Sequence, residues 1–211
     1  MASVLRRRFE AFCQACCVVL LALPAAAQDR AWLRQFGSSR GNQDGPVYSA
    51  SDGAGGVFTG GYTEGVLGGP NAGAADAWLA RHDGAGNRLW IRQFGSSSFD
   101  YPRHITADGQ GGVYLAGITR GDLGGPSAGS WDPWLARHDG AGNLLWIVQF
   151  GTSGDDQAQF VAPDGAGGAF VGGVTDGSLG GPNAGSVDAW LARHDGAGNR
   201  LWILQLGTSS P

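Results

Sequence analysis

Histidine, the commonest side chain in metal sites and acid–base catalysis, recurs in this chain at one repeated position. The three residues lie 56 positions apart and are His82, His138 and His194. Ligands of one ion must converge to within about 2 Å of it, whereas equivalent positions of successive repeats are separated by whole sheets. Each histidine follows an Arg and precedes the Asp of a turn, which indicates a strand end near solvent. We therefore predict no metal site, and interpret these side chains and the unrepeated His104 as surface or inter-repeat hydrogen-bonding groups.

Aspartate recurs with the same period, in turns that read Asp-Gly-Ala-Gly-Asn and begin at Asp83, Asp139 and Asp195. A calcium loop needs several oxygen ligands at alternate positions, and only the two ends of these turns supply them. Capping of a hairpin by an Asx turn explains the aspartates, with weak calcium binding as the alternative. The densest acidic pair is Asp155 and Asp156, but only the second acid recurs, so no paired-carboxylate catalytic site is predicted.

Three glycine-rich loops are the remaining repeated feature, at Leu67–Gly73, Leu123–Gly129 and Leu179–Gly185. Their backbone N–H groups could cradle an anion, but neither a Lys-Ser/Thr pair nor a helix follows, which excludes a phosphate loop. The repetition would also suit a lectin with one sugar pocket per repeat and a Trp as stacking face. Most tryptophans lie within predicted strands, where core packing explains them. Trp131 lies beside a loop, in place of Ala75 and Val187, and is the candidate for an exposed ring.

The elements that position these residues follow from the 56-residue repeat. In the second unit the sequence predicts four extended segments, at residues 103–107, 112–119, 131–138 and 144–150. Turns of Asp-Gly followed by a further Gly join the first segment to the second and the third to the fourth, which predicts antiparallel hairpins.

The last segment is apolar on both faces. Leu145 and Ile147 point one way, and Trp146, Val148 and Phe150 point the other. A sheet with one wet face would alternate apolar with polar residues, so both faces must be covered. Stacked four-stranded sheets of a β-propeller provide that cover, and a β-helix is the structural alternative.

The N-terminus has the features of a secretory signal peptide: three arginines at 6–8, an apolar run at 15–23 and small residues at 25–27. The apolar run is too short for the roughly 20 residues that span a bilayer, so we predict no membrane span in the mature chain. We expect cleavage after Ala27 and a secreted or cell-envelope location, by the general secretory or the twin-arginine route. All three cysteines precede residue 28, which leaves the mature chain without disulfides.

Charge excludes one class of partner. The formal charge of the whole chain is −4, and loss of residues 1–27 removes three arginines and one glutamate, which makes it −6. The chain has no lysine and no basic stripe, so we predict no nucleic-acid partner. Its 39 glycines argue against long helices.

Several motifs recur three times in fixed order. They are Gln-Phe-Gly-Thr-Ser-Gly-Asp-Asp at 149–156, Asp-Gly-x-Gly-Gly before an aromatic strand, Gly-x-Thr, Asp-Ala-Trp-Leu-Ala-Arg, and Asp-Gly-x-Gly-Asn-x-Leu-Trp. This pattern resembles the SBBP (seven-bladed β-propeller) repeat family of exported bacterial proteins, over residues 31–210. The resemblance implies a propeller of extracellular or envelope location and brings no agreed catalytic residues.

We therefore predict an all-β fold of propeller-type blades, each of four antiparallel strands. Three blades and one extra N-terminal strand make 13 strands, too few for an ordinary closed ring of 4–8 blades, so the ring is expected to be open or incomplete. The predicted organisation is a signal peptide (1–27) and a repeat domain (28–211), divided into a leading outer strand (28–45) and repeats at 46–101, 102–157 and 158–211.

The functional hypothesis is a non-enzymatic scaffold that mediates protein or surface interactions through an unknown protein or glycan ligand. The alternative is a carbohydrate-binding, lectin-like module with one weak site per repeat. No catalytic, cofactor-binding or metal residues are predicted, because no acid–base–nucleophile set clusters or recurs. Copies of the chain are expected to self-associate to complete the ring, because open repeats leave apolar faces exposed.

Overall fold

The structure is a computed structural model that describes residues 32–39, 42–45 and 48–209. The predicted signal peptide and the three cysteines lie outside the described residues. Within the described part of the chain, every regular element is a β-strand. That part contains no helix long and apolar enough to cross a membrane.

Twelve strands form three sheets of four, and all neighbouring strands are antiparallel. The first sheet contains β1 (Tyr48–Ser51), β2 (Val57–Thr63), β3 (Asp76–His82) and β4 (Arg88–Phe94). The second contains β5 (Asp100–Ala107), β6 (Val113–Thr119), β7 (Asp132–His138) and β8 (Leu144–Gln149). The third contains β9 (Asp156–Pro163), β10 (Ala169–Thr175), β11 (Asp188–His194) and β12 (Arg200–Leu206).

These sheets confirm the predicted fold class of four-stranded propeller-type blades in an open or incomplete ring. The four strands predicted for the second unit are all present, although β5 begins at Asp100 instead of residue 103. Strand order within each sheet follows the chain order. We call the sheets blades 1, 2 and 3.

The hairpin turns form because an aspartate caps each of them. Asp83 Oδ1 accepts hydrogen bonds from the backbone N–H groups of Ala85 and Asn87, both at 2.9 Å, and Asp139 and Asp195 do the same in their blades. Gly86, inside the first of these turns, has a φ of +77°, a conformation that costs little only for glycine. The Asx-turn interpretation of the repeated aspartates is thereby confirmed.

Both faces of the middle blade are covered, as the two-sided apolar strands predict. One core cluster lies between blades 1 and 2 and includes Leu79, Leu115 and Trp134. A second lies between blades 2 and 3 and includes Leu135 and Val171 and, from neighbouring strands, Tyr114 and Trp190. Because successive side chains of a strand point to opposite faces, Trp134 and Leu135 serve different clusters.

The segment before the first blade differs from the predicted outer strand. Its described residues, 32–39 and 42–45, form one isolated bridge, Asp44 with Thr63, and no β-strand. The described chain therefore has 12 strands instead of 13. Side-chain contacts nevertheless tie the segment to blade 1: Trp32 Nε1 donates to the Gly84 carbonyl at 3.1 Å.

Candidate functional site

The repeated histidines are buried, which corrects the expectation of strand ends near solvent: His138 and His194 lie between blades, and His82 lies under Trp32 and Phe36. His82, His138 and His194 are 3%, 2% and 2% exposed. Each is covered by a phenylalanine that lies earlier in the chain, as Phe94 covers His138 with ring centroids 5.3 Å apart. A strand end looks exposed when one hairpin is considered alone, but the end of the preceding blade covers His138 and His194, and residues 32–36 cover His82.

Burial also decides the chemistry of these imidazoles. It lowers the pKa of His138 to about 4 and lowers the pKa of His82 and His194, so all three are neutral at pH 7. His194 Nδ1 lies 3.0 Å from the Gly198 carbonyl. The described residues hold no cluster of three or more histidine, cysteine or acidic side chains that could bind a metal. The histidines are therefore packing residues of the blade junctions.

A second repeated group is an ion pair that sequence reasoning missed. Arg81 donates from both Nε and Nη2 to Asp52 Oδ2, at 3.0 and 2.8 Å, and its Nη1 reaches the Gly140 carbonyl of the next blade at 3.0 Å. The pairs Arg137–Asp108 and Arg193–Asp164 repeat the contact at 2.8 Å. Hydrogen bonds from the Ala54 N–H and the Arg81 guanidinium hold the pKa of Asp52 below its usual range.

The available signal for this pair was an arginine at every 56th position, directly after an apolar run within a strand. Such a charge is rarely left unpaired. Its partner lies 29 residues away, in the turn between the first two strands of the same blade, and becomes adjacent only when the sheet forms.

Two carboxylate pairs come together at the blade junctions, although no pair was predicted. Asp76 and Asp100 both reach Gly95, so closely that a Cβ added to this glycine would touch Oδ1 of the first and Oδ2 of the second. Asp132 and Asp156 lie in the same way on either side of Gly151. Burial raises the pKa of Asp100, and the charge of Asp76 adds to that rise. All four carboxylates are 0% exposed, so solutes cannot reach them in this arrangement.

The glycine-rich loops are held by a glutamine of the adjacent fourth strand. Gln93 Oε1 accepts hydrogen bonds from the N–H groups of Leu67 and Gly68, at 2.8 and 3.2 Å, and Asp76 Oδ2 accepts one from Ala72 at 2.8 Å. Gln149 and Gln205 make equivalent contacts in the other blades. These N–H groups are therefore occupied by acceptors of the protein itself and do not offer an anion site.

The repeats differ most where blades 1 and 2 meet, in a group that we call the aromatic cluster. It consists of Tyr62, Phe99, Tyr101, Trp131 and Arg120. Tyr101 contacts Tyr62 with centroids 4.6 Å apart and Trp131 at 5.7 Å, and the Arg120 guanidinium lies 4.4 Å from the centre of a Trp131 ring.

An open cleft of about 320 Å³ adjoins the aromatic cluster and is lined by Tyr48, Tyr62, Tyr101, Pro102 and Arg103. Trp131, predicted as the exposed ring, is half-buried under Arg120. Burial raises the pKa of Tyr101, which keeps its hydroxyl protonated at neutral pH. The cleft thus offers tyrosine hydroxyls, flat apolar rings and a cation, which suits polar ligands with an apolar face.

Comparison with known proteins yields one match. Residues 89–124, from β4 of blade 1 to the loop after β6, match the model of the SBBP beta-propeller repeat. No curated protein shows significant similarity to the chain. The matched segment contains nearly all of β4 of blade 1 and the strands β5 and β6 of blade 2, so over these residues the chain carries an SBBP-type β-propeller repeat.

Proposed function

We propose that the chain is an exported, non-enzymatic β-propeller repeat scaffold that mediates protein or surface interactions. The observation that carries the proposal is the contrast between two sets of side chains. The repeated histidine, arginine and aspartate side chains are used in contacts within or between blades. The aromatic cluster, where the repeats diverge, borders an open cleft instead. Positions that differ between otherwise equal repeats are not needed for the shared blade structure, so they can provide a specific ligand contact.

The alternative is carbohydrate binding, but the buried tryptophans argue against one sugar site in every repeat. One weak site per repeat would need an available tryptophan in each blade. Trp78, Trp134 and Trp190 are at most 2% exposed, and the next blade covers Trp90 and Trp146. A sugar-binding version of the proposal therefore places one site at the aromatic cluster, where a pyranose ring could stack on a tyrosine or on Trp131.

Binding by the mature protein, residues 28–211, tests both versions. The labelled protein is applied to immobilised cell-envelope proteins and to a glycan array, beside two variants. Trp131→Ala removes the central ring of the aromatic cluster, and Val187→Ala is the matched control at the same repeat position in blade 3. The scaffold proposal expects binding to protein or envelope material that Trp131→Ala weakens at least about tenfold and Val187→Ala leaves unchanged.

A sugar-specific signal that Trp131→Ala abolishes would replace the scaffold proposal by the carbohydrate version. Binding that both variants leave unchanged would overturn the assignment to the aromatic cluster in either form.

Export belongs to the same proposal and is tested separately. Expression of the full chain in a bacterial host, followed by mass spectrometry of the exported protein, is expected to give Gln28 as the N-terminal residue. Recovery of the uncleaved chain from the cytoplasm alone would contradict it. Self-association to complete the ring is the remaining part of the proposal.

A further inference from the structure

Blade junctions within the chain are made twice with the same contacts. At the first junction Trp90 Nε1 donates to the Gly140 carbonyl at 3.0 Å, and Phe94 meets Trp134 edge-to-face at 5.9 Å. At the second, Trp146 donates to the Gly196 carbonyl at 2.9 Å, and Phe150 meets Trp190 at 5.6 Å. The fourth strand of one blade therefore docks on the third strand of the next through a tryptophan and a phenylalanine.

The outer face of blade 3 carries the side of such a junction that supplies the tryptophan, which we call the donor half. None of the described residues covers this face. We call this surface the tail face and define it by Phe170, Trp202, Leu204 and Leu206. The last three are 36%, 52% and 68% exposed.

Comparison with the covered blades shows what the tail face lacks. Phe58 and Tyr114, the equivalents of Phe170, are 0% exposed because the following blade covers them, whereas Phe170 is half-buried. The Arg193 side chain is 34% exposed, against 11% for its equivalent Arg137.

Blade 1 carries the acceptor half, which we call the head cradle and define by Trp78, His82, Gly84 and Gly86. Residues 32–36 occupy it as a substitute for the fourth strand of a preceding blade. Trp32 Nε1 donates to the Gly84 carbonyl at 3.1 Å, and Phe36 meets Trp78 edge-to-face at 5.2 Å. These are the contacts that Trp90 and Phe94 make on blade 2.

The substitute segment is held less firmly than a true fourth strand. Residues 32–39 form no strand ladder. They are attached to blade 1 by three aromatic contacts, of Trp32 with His82 and of Phe36 with Trp78 and His82, and by the hydrogen bonds of Trp32 and Arg34 to the turn carbonyls of Gly84 and Gly86. By contrast, β12 is paired along its length with β11. A β12 that docks on the head cradle arrives already ordered, so less conformational entropy is lost.

We propose that β12 of one copy docks on the head cradle of a second copy in place of the second copy's residues 32–36. This inference rests on the scaffold function proposed above and specifies its self-association. The contact is head-to-tail, and such contacts close a ring when the rotation allows it. The three described blades of two copies make six, within the 4–8 that closed propellers contain, whereas those of three copies would make nine.

Polar groups at the two ends match as well. Within the chain, Asp100 Oδ2 accepts a hydrogen bond from the Ser96 N–H beside the buried Asp76. At the tail, Asp188 Oδ1 lies beside Gly207, which precedes Thr208, in the same way as Asp76 Oδ1 lies beside Gly95, which precedes Ser96. At the head, Asp44 accepts from Ser38. If docking also displaces Ser38, it brings Thr208 of one copy to Asp44 of the second and rebuilds the internal arrangement.

Light scattering on a size-exclusion column over a range of concentrations tests the proposal with the mature protein. The wild type is expected to show a concentration-dependent two-copy species. Leu206→Asp, on the tail face, is expected to raise the dissociation constant at least about tenfold, because an exposed leucine is replaced by a charge that docking would bury.

Leu201→Asp is the matched control, since Leu201 is 52% exposed and its equivalents Leu89 and Leu145 stay 54% and 51% exposed in blades that have a following neighbour. It is expected to leave association unchanged. Trp32→Ala loosens the substitute segment, which competes with β12 of another copy for the head cradle. It is therefore expected to strengthen association at least about threefold. Opposite effects of two substitutions cannot both arise from misfolding.

A monomer at every concentration, or a two-copy species that Leu206→Asp leaves intact, would overturn the proposal. Larger open assemblies that Leu206→Asp dissolves would overturn the two-copy ring. These results are distinguishable from failure of the proposed function, because ligand binding is read through Trp131 and association through Leu206.

Discussion

The Trp90 indole of blade 1 donates a hydrogen bond to the carbonyl of Gly140, a turn residue of blade 2, with 3.0 Å between nitrogen and oxygen. The same carbonyl also accepts from Arg81 Nη1. Two side chains of one blade thus converge on one backbone oxygen of the next. The contact links hairpin turns to blade stacking, because the accepting carbonyl belongs to a turn residue.

Replacement of Trp90 by Phe is expected to lower the free energy of unfolding by about 1–2 kcal/mol, since the hydrogen bond is lost while Gly140 retains Arg81. Urea unfolding followed by fluorescence measures this. Trp202→Phe is the matched control, because the Trp202 indole has no acceptor in the described part of the chain. Both variants are made with Leu206→Asp, so that a second copy cannot supply one. Equal losses in the two variants would contradict the assigned hydrogen bond.

Asp108→Asn is expected to destabilise the protein by about 3 kcal/mol. It leaves the Arg137 guanidinium largely buried without its counter-charge, while the amide can still accept the turn hydrogen bonds of Gln110 and Gly112. The equivalent change at Asp164 should cost less, about 1 kcal/mol, because water reaches Arg193. Chemical denaturation of both variants gives the comparison, and the reverse ranking would refute the role assigned to burial.

Acidification is expected to destabilise the fold between pH 6.5 and about 4. Burial keeps His138 neutral down to a pKa of about 4, while in the unfolded chain the imidazole binds a proton at its ordinary pKa of 6.5. The unfolded state therefore gains protons first as the pH falls, which removes roughly 3 kcal/mol across this window.

Denaturation midpoints at pH 7, 5 and 4 measure this effect. His138→Leu should flatten the pH dependence whatever its effect on stability at pH 7. His104→Leu is the control, since His104 is only half-buried and its one described hydrogen bond, from the Val161 N–H, is long at 3.4 Å. An unchanged slope in His138→Leu would show that other groups dominate.

Gly142→Ala should cost more stability than Gly109→Ala, although both glycines have positive φ angles, +82° and +75°. Backbone strain alone accounts for about 1 kcal/mol in each. At Gly142 the added Cβ would also come within 2.9 Å of Trp90, whereas at Gly109 nothing lies within 4 Å. The expected difference is about 1 kcal/mol or more by thermal or chemical unfolding. Equal losses of stability would mean that the turn and the Trp90 ring move apart enough to accommodate the added methyl group.

Predictions from the sequence succeeded where a few neighbouring residues decide the structure. Asp83 and the glycines that follow it specify a hairpin turn. The two-sided apolar pattern of β8 correctly indicated cover on both faces for Trp146 to Val148, whereas Leu144 and Leu145 stay exposed. The exposed ring predicted at Trp131 was half right, because the residue lies beside the loop but under Arg120.

The junction groups could not be predicted in the same way. Asp76 and Asp100 are separated by 24 residues and belong to different sheets, so their proximity depends on how two finished blades stack. The burial of His138 depends likewise on Phe94 of the preceding blade, which reaches it only in the folded repeat array.

By itself, therefore, the sequence determined the 56-residue period, the turns, the strand pairing within each blade and the family of the repeat. These depend on short-range backbone preferences and alternating side chains, which are read directly from the order of residues. Only the tertiary structure decided which faces are covered, that residues 32–36 occupy the head cradle and that the tail face is left exposed. Those outcomes depend on long-range packing between blades, where the same side chain is buried or exposed according to whether a neighbouring blade is present.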